Sequence, residues 1–131
     1  MTGASSRSTP RRGDAAAVAA GARAEGRAVD YLRARGLAIV ARNFRTRHGE
    51  IDIVARDRKV LVFVEVRRRG SRTFGGAAAS ITAAKRARLV QAAQAYLATL
   101  PQEPPCRFDA ILLDGPEAAP IDWQRDVFSV D

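Results

Sequence analysis

The 131-residue sequence predicts a mixed α/β (α+β) domain, a central mixed sheet with flanking helices. Three observations lead there. Val60–Arg67 alternates side chains in a strand-like period of two. Two longer stretches carry apolar residues at helical spacing, one on each side of the strand-rich centre. The resulting order, α-β-β-β-α-β, is that of helices packed on a sheet rather than of a bundle or a sandwich.

Residues 1–13 are rich in Ser, Thr, Arg and Gly, lack apolar periodicity, and read as a disordered basic tail; 14–131 read as a single domain. A helix is expected from about Ala15 to Arg35, closed by Gly36. Leu37–Ala41 reads as a first strand, followed by a basic loop over Asn43–Gly49. Glu50–Ala55 and Val60–Arg67 form an antiparallel hairpin around Arg58-Lys59. Residues 70–79 form a Gly/Ala-rich loop. Ser80 or Thr82 caps a second helix that runs to about Leu100 and stops before Pro101. Arg107–Leu113 is another strand, and Val127–Val130 a last short one.

The net charge of +8 is uneven, +2 over residues 1–22, +11 over 23–100 and −5 over 101–131. A basic middle segment fits a polyanionic partner, because Arg and Lys contacts to phosphate dominate nucleic-acid affinity. With 20 arginines against two lysines, the charge also fits a composition bias that places solvated arginines on a surface. The single cysteine, Cys106, allows no intrachain disulfide and suits a reducing, cytoplasmic setting. No apolar run approaches the roughly 18 residues of a membrane span. Arg11-Arg12 before an alanine run resembles a signal peptide, but the run continues into an amphipathic helix.

The acids inside the strand runs need a reason, since an ionised carboxylate is costly to desolvate. Alternation puts Leu61, Phe63, Glu65 and Arg67 on one face of the third strand and Val60, Val62, Val64 and Val66 on the other. If the hairpin turns at Arg58-Lys59, Asp52 stands opposite Glu65, whereas a slip of one residue would separate them. Glu25 lies near the middle of the first helix's apolar stripe, with Val29 and Leu32. Two facing carboxylates repel unless a cation lies between them, and Mg²⁺ or Mn²⁺ suits such an oxygen donor set. The competing reading is a salt-bridge cluster of Asp52 or Glu65 with Arg67 and neighbouring arginines.

Several segments together resemble the uncharacterised YraN-type proteins, a bacterial family with the restriction-endonuclease-like fold and the PD-(D/E)XK nuclease pattern. They are Ala24-Glu25, Tyr31-Leu32, Gly36, Arg42-Asn43, Gly49-Glu50-Ile51-Asp52, Val62-Phe63-Val64-Glu65-Val66, Lys85-Arg86, Tyr96-Leu97 and Arg107-Phe108-Asp109. The layout is also similar to archaeal Holliday-junction resolvases. The resemblance implies a restriction-endonuclease-like core in which Glu25, Asp52 and Glu65 are metal-binding acids and position 67 is catalytic. It further implies a nucleic-acid partner, DNA before RNA, and a homodimer is expected by analogy with the resolvases.

Position 67 departs from the pattern, which has lysine there. Arginine stays protonated, so it stabilises phosphate charge but cannot serve as a base. Either Arg67 keeps an electrostatic role in cleavage, or the domain binds nucleic acid or another partner without cutting. A third option has Lys85 supply an ammonium from the second helix. The cations expected on nucleic acid are Arg45, Arg47, Arg68, Arg69, Arg72, Lys85, Arg86 and Arg88. Phe44 and Phe74 can stack on bases or cap a core, and Asp109 is read as pairing with an arginine.

Overall fold

The computed structural model describes residues 12–69, 81–114 and 120–128. Helix α1 (Arg12–Ala34) is followed by β1 (Ala38–Arg45), β2 (Glu50–Asp57), β3 (Val60–Arg69), α2 (Ala83–Leu97), β4 (Cys106–Asp114) and β5 (Ile121–Phe128). The five strands lie in sequence order in one mixed sheet. β3 and β4 run parallel, joined through α2, and the other neighbours are antiparallel. This is the expected mixed α/β class. No described helix is long and apolar enough to cross a membrane.

Alternation along β3 divides the core. Leu61 and Phe63 join Leu89, Ala92 and Ala93 of α2 on one face. Val62 and Val64 join Ala24, Ala28, Val29 and Leu32 of α1 on the other. The sheet is thus buried on both sides, and its strands β3 and β4 carry near-continuous apolar runs for that reason.

Local signals account for the element ends. Gly36 takes φ 92° after α1, and the Leu37 and Gly36 N–H groups donate back to the Leu32 and Arg33 carbonyls. That pair of bonds is a Schellman closure, with Leu37 packed beside Leu32. Thr82, rather than Ser80, caps α2, its hydroxyl accepting the Lys85 N–H. The β2–β3 hairpin turns at Arg58-Lys59 with Arg58 at φ 58°, and Ile53 pairs with Val64 in the expected register.

Boundaries differ from expectation in three places. α1 opens at Arg12; the rest of the tail expected over residues 1–13 lies outside the described residues, as does the loop over 70–79 with Arg72 and Phe74. β1 continues through Arg45, so the first residues of the expected basic loop are strand. It survives Asn43 because that residue takes the left-handed conformation (φ 53°) that asparagine tolerates. β5 spans Ile121–Phe128 rather than a few residues near the terminus. Its pairing is broken by a register shift opposite Phe108–Ala110, which hides a simple alternation.

Candidate functional site

The site arises where the central hairpin opens. β2 and β3 are paired from Asp57–Val60 to Ile53–Val64, and the next rung would set Asp52 against Glu65. Here two carboxylates oppose each other and the ladder stops. β2 stays with β1 as far as Arg45–Glu50, while β3 stays with β4 to its end. The Asp52 carboxylate accepts the Val66 N–H at 2.8 Å, standing in for the lost strand partner. The split holds clefts of about 600 and 390 Å³ that share Asp52 in their walls. Glu25 from α1 lines the first and Lys85 from α2 the second.

Burial and the charge of Glu65 push the Asp52 carboxyl up to about 8. Burial raises Glu65 also, against the opposing pull of its hydrogen bond with Asp52 and of Arg67. The two carboxyls are hydrogen-bonding neighbours, and near neutral pH they hold a proton between them. Two cations approach Glu65 Oε2, Arg67 Nη1 at 3.4 Å and Lys85 Nζ at 3.9 Å. The side chain of Glu65 is only 14% exposed, so these contacts are stronger than open-surface pairs.

Glu25 is held differently. Its Oε1 accepts from Arg42 Nε at 3.0 Å and Asn43 Nδ2 at 2.9 Å, which anchors α1 to β1 at the mouth of the larger cleft. Glu25 therefore shares a cleft wall with Asp52 while its carboxylate is engaged by β1. Among the described residues, no three His, Cys, Asp or Glu side chains are grouped so as to hold a metal ion. The grip of Arg42 and Asn43 on Glu25 is absent from the expectations drawn from sequence. It depends on the backbone turn at Asn43, which residue type alone signals weakly.

The expected nucleic-acid contacts divide by position. Arg45 lines both clefts, Arg68 the larger, and Lys85 and Arg88 the smaller. Arg45 is also paired with Glu50 in the open, at 3.0 Å. Arg47 is exposed in the β1–β2 turn. Thr46 builds that turn by bonding to the His48 and Gly49 N–H groups. Arg86 turns towards the Phe128 ring, 5.5 Å away, rather than into either cleft. Arg69 ends β3, with its side chain outside the described residues, and Arg72 lies outside them altogether.

Other candidates have structural positions. Phe44 packs edge-on against Tyr96, capping the core instead of offering a free face. Asp109 is buried and accepts from Arg107 Nε, Trp123 Nε1 and the Asp126 N–H, so it pins the irregular part of β5 to β4. The Cys106 thiol is raised by burial and so stays protonated.

A mixed α/β protein, with two helices and a five-stranded sheet among its described residues and a carboxylate pair at the split of its central hairpin, is the class that fold and site define. Residues 24–113 match the model of the uncharacterised protein family UPF0102. The UPF0102 protein RSc3265 of Ralstonia nicotianae is 54% identical over 120 residues, covering 88% of this chain and 90% of its own. A UPF0102 protein of Dechloromonas aromatica is 53% identical over 113 residues, 86% of this chain and 91% of its own. One from Nitrosospira multiformis is 50% identical over 111 residues, 85% and 93% of the two chains. The chain belongs to the UPF0102 family, which is the YraN family.

Proposed function

We propose that this protein is a nucleic-acid-binding, endonuclease-like domain that hydrolyses phosphodiesters of structured or branched DNA with Mg²⁺ or Mn²⁺. The observation that carries the reading is the Asp52–Glu65 pair, two half-buried carboxyls side by side in the smaller cleft, whose walls also carry Arg45, Lys85 and Arg88. Such a pair is costly as two anions, and a hard divalent cation relieves that cost. Asp52 and Glu65 would hold the ion, with water completing its shell. When bound there, it supplies an acidified water and neutralises charge on the phosphoryl oxygens.

The chain's own groups do the rest. Asp52 is oriented by the Val66 N–H, so one of its oxygens is fixed. Arg67 lies against Glu65 and adds positive charge where the scissile phosphate's charge develops. Lys85 brings an ammonium to the same carboxylate from the first turn of a capped helix. Glu25 lines the cleft and orders Arg42 and Asn43 beside it. Arg45, Arg68 and Arg88 stand around the opening to receive backbone phosphates.

One observation favours a second reading. Arg67 occupies the lysine position of the nuclease pattern, and an arginine paired with Glu65 satisfies that acid without an ion. The domain would then bind nucleic acid, or another partner, without cutting it. The test is a cleavage assay on single-stranded, duplex, flap and four-way-junction DNA with Mg²⁺ or Mn²⁺. Metal-dependent cleavage that disappears in Asp52→Ala supports the enzyme. Binding without cleavage, in both the wild type and Arg67→Lys, leaves only the binding module.

A further inference from the structure

At the far end of the same hairpin lies another cleft, of about 580 Å³, whose walls include Arg35, Arg58, Lys59 and Arg125 together with Asp57 and Trp123. None of these four cations was expected on nucleic acid from the sequence. The Asp57 carboxylate is taken by Arg107 Nη2 at 3.1 Å. Among the described residues, no carboxylate forms an ion pair with the other four. Four positive side chains therefore converge on a concave surface without local neutralisation, an arrangement that repels itself and attracts an anion.

Two of the four are held in place. Arg35 stacks on the Tyr31 ring at 3.5 Å, and Arg125 lies over the Trp123 ring at 4.3 Å. The two rings meet edge to face at 6.3 Å. Stacking occupies the flat faces of the guanidinium groups and leaves their N–H edges to donate. It also covers a face of the indole, which disfavours base stacking there and favours contact with phosphate.

We propose that this cleft is a second phosphodiester-backbone site, sequence-independent, which grips nucleic acid a short distance from the acidic split. The proposal rests on the nucleic-acid reading above and adds a place and a spacing to it. α1 joins the two sites, its span from Glu25 to Ala34, just before Arg35, being ~14 Å at helical rise. β2 gives a similar span of ~17 Å from Asp52 to Asp57. That is about five phosphates of one strand of a duplex, at roughly 3.4 Å each along the axis. A substrate held at the acidic split is therefore within a few phosphates of the second cleft.

Trp123 is the only tryptophan in the chain and lies in the cleft wall, so its fluorescence reports occupancy of this site. The full-length protein is titrated with a 20-base-pair duplex, with inorganic phosphate as a separate probe, while anisotropy of labelled duplex follows overall binding. The duplex is expected to change Trp123 emission saturably. Arg58→Asn/Lys59→Gln changes two exposed turn residues, asparagine being suited to the positive φ at position 58. It should abolish most of the emission change and reduce the slope of log affinity against log salt by about 1.8. Duplex binding by anisotropy with no Trp123 response, or with an unchanged slope in the turn variant, overturns the proposal while leaving the nucleic-acid reading standing. A Trp123 response to inorganic phosphate that matches the response to duplex also overturns it, in favour of a small-anion site. Absence of duplex binding by either signal defeats the nucleic-acid reading itself.

Discussion

Replacing Asp52 by asparagine removes one ionisable carboxyl from the split and keeps an oxygen that can accept the Val66 N–H. In the folded protein the Asp52 carboxyl holds its proton up to about 8, against an ordinary value of 3.8. Between those pH values the folded state binds more protons than the unfolded chain, so the contribution of this group to stability falls as pH rises and is lost by about pH 8. Each tenfold change in proton affinity is about 1.4 kcal/mol, so the whole shift corresponds to a ceiling of about 6 kcal/mol. Water at the cleft mouth and the Arg67 and Lys85 cations screen the pair, and a loss of about 2–3 kcal/mol between pH 5 and 9 is expected. Asp52→Asn should lose that dependence and be the more stable protein at pH 9. Urea unfolding of both proteins across this range, in chelator, measures the difference directly. Parallel pH profiles for the wild type and the variant would refute the claim that the two acids are forced together by the fold.

Gly49→Ala sets a methyl group 2.5 Å from the Arg88 carbonyl oxygen, which pushes the β1–β2 turn off α2. Urea unfolding should show a loss of about 1–3 kcal/mol, with weaker DNA binding because Lys85 and Arg88 move with the helix. Asp109→Asn weakens a buried acceptor of three different donors and should cost about 3 kcal/mol in the same measurement. Lys85→Met keeps an apolar stem while removing the ammonium near Glu65. Its stability should change by less than about 0.5 kcal/mol, while Mg²⁺-dependent cleavage falls about a hundredfold. Cleavage unchanged in that variant would remove Lys85 from the site.

Much of the fold was legible because its signals are local. The period of two along Val60–Arg67, the closing Gly36 and the Thr82 cap each act within a few residues. The hairpin register was also legible, since a turn at Arg58-Lys59 fixes which residues face each other, and it brings Asp52 and Glu65 together. What escaped was set by tertiary contacts. β5 is held by Asp109, whose three donors come from β4 and β5 across a register shift. The partners of Glu25 depend on the positive φ of Asn43 within β1. Arg86 follows the helix surface towards Phe128 and away from the clefts, a direction that proximity to Lys85 in sequence does not disclose. The cations at the second cleft come from three separate places, the end of α1, the β2–β3 turn and β5, which only the folded sheet end unites.

The central claim is that the Asp52–Glu65 pair is built for a divalent cation, and isothermal titration of Mn²⁺ or Mg²⁺ into the metal-free protein tests it most directly. At pH 7 the pair still holds a proton that the ion must displace. Titration in buffers of different ionisation heat should therefore show one ion bound per chain with release of about one proton. Asp52→Asn and Glu65→Gln should each abolish both the binding and the proton release. Saturation by neither ion at millimolar concentration, or the same binding in both variants, would contradict the account.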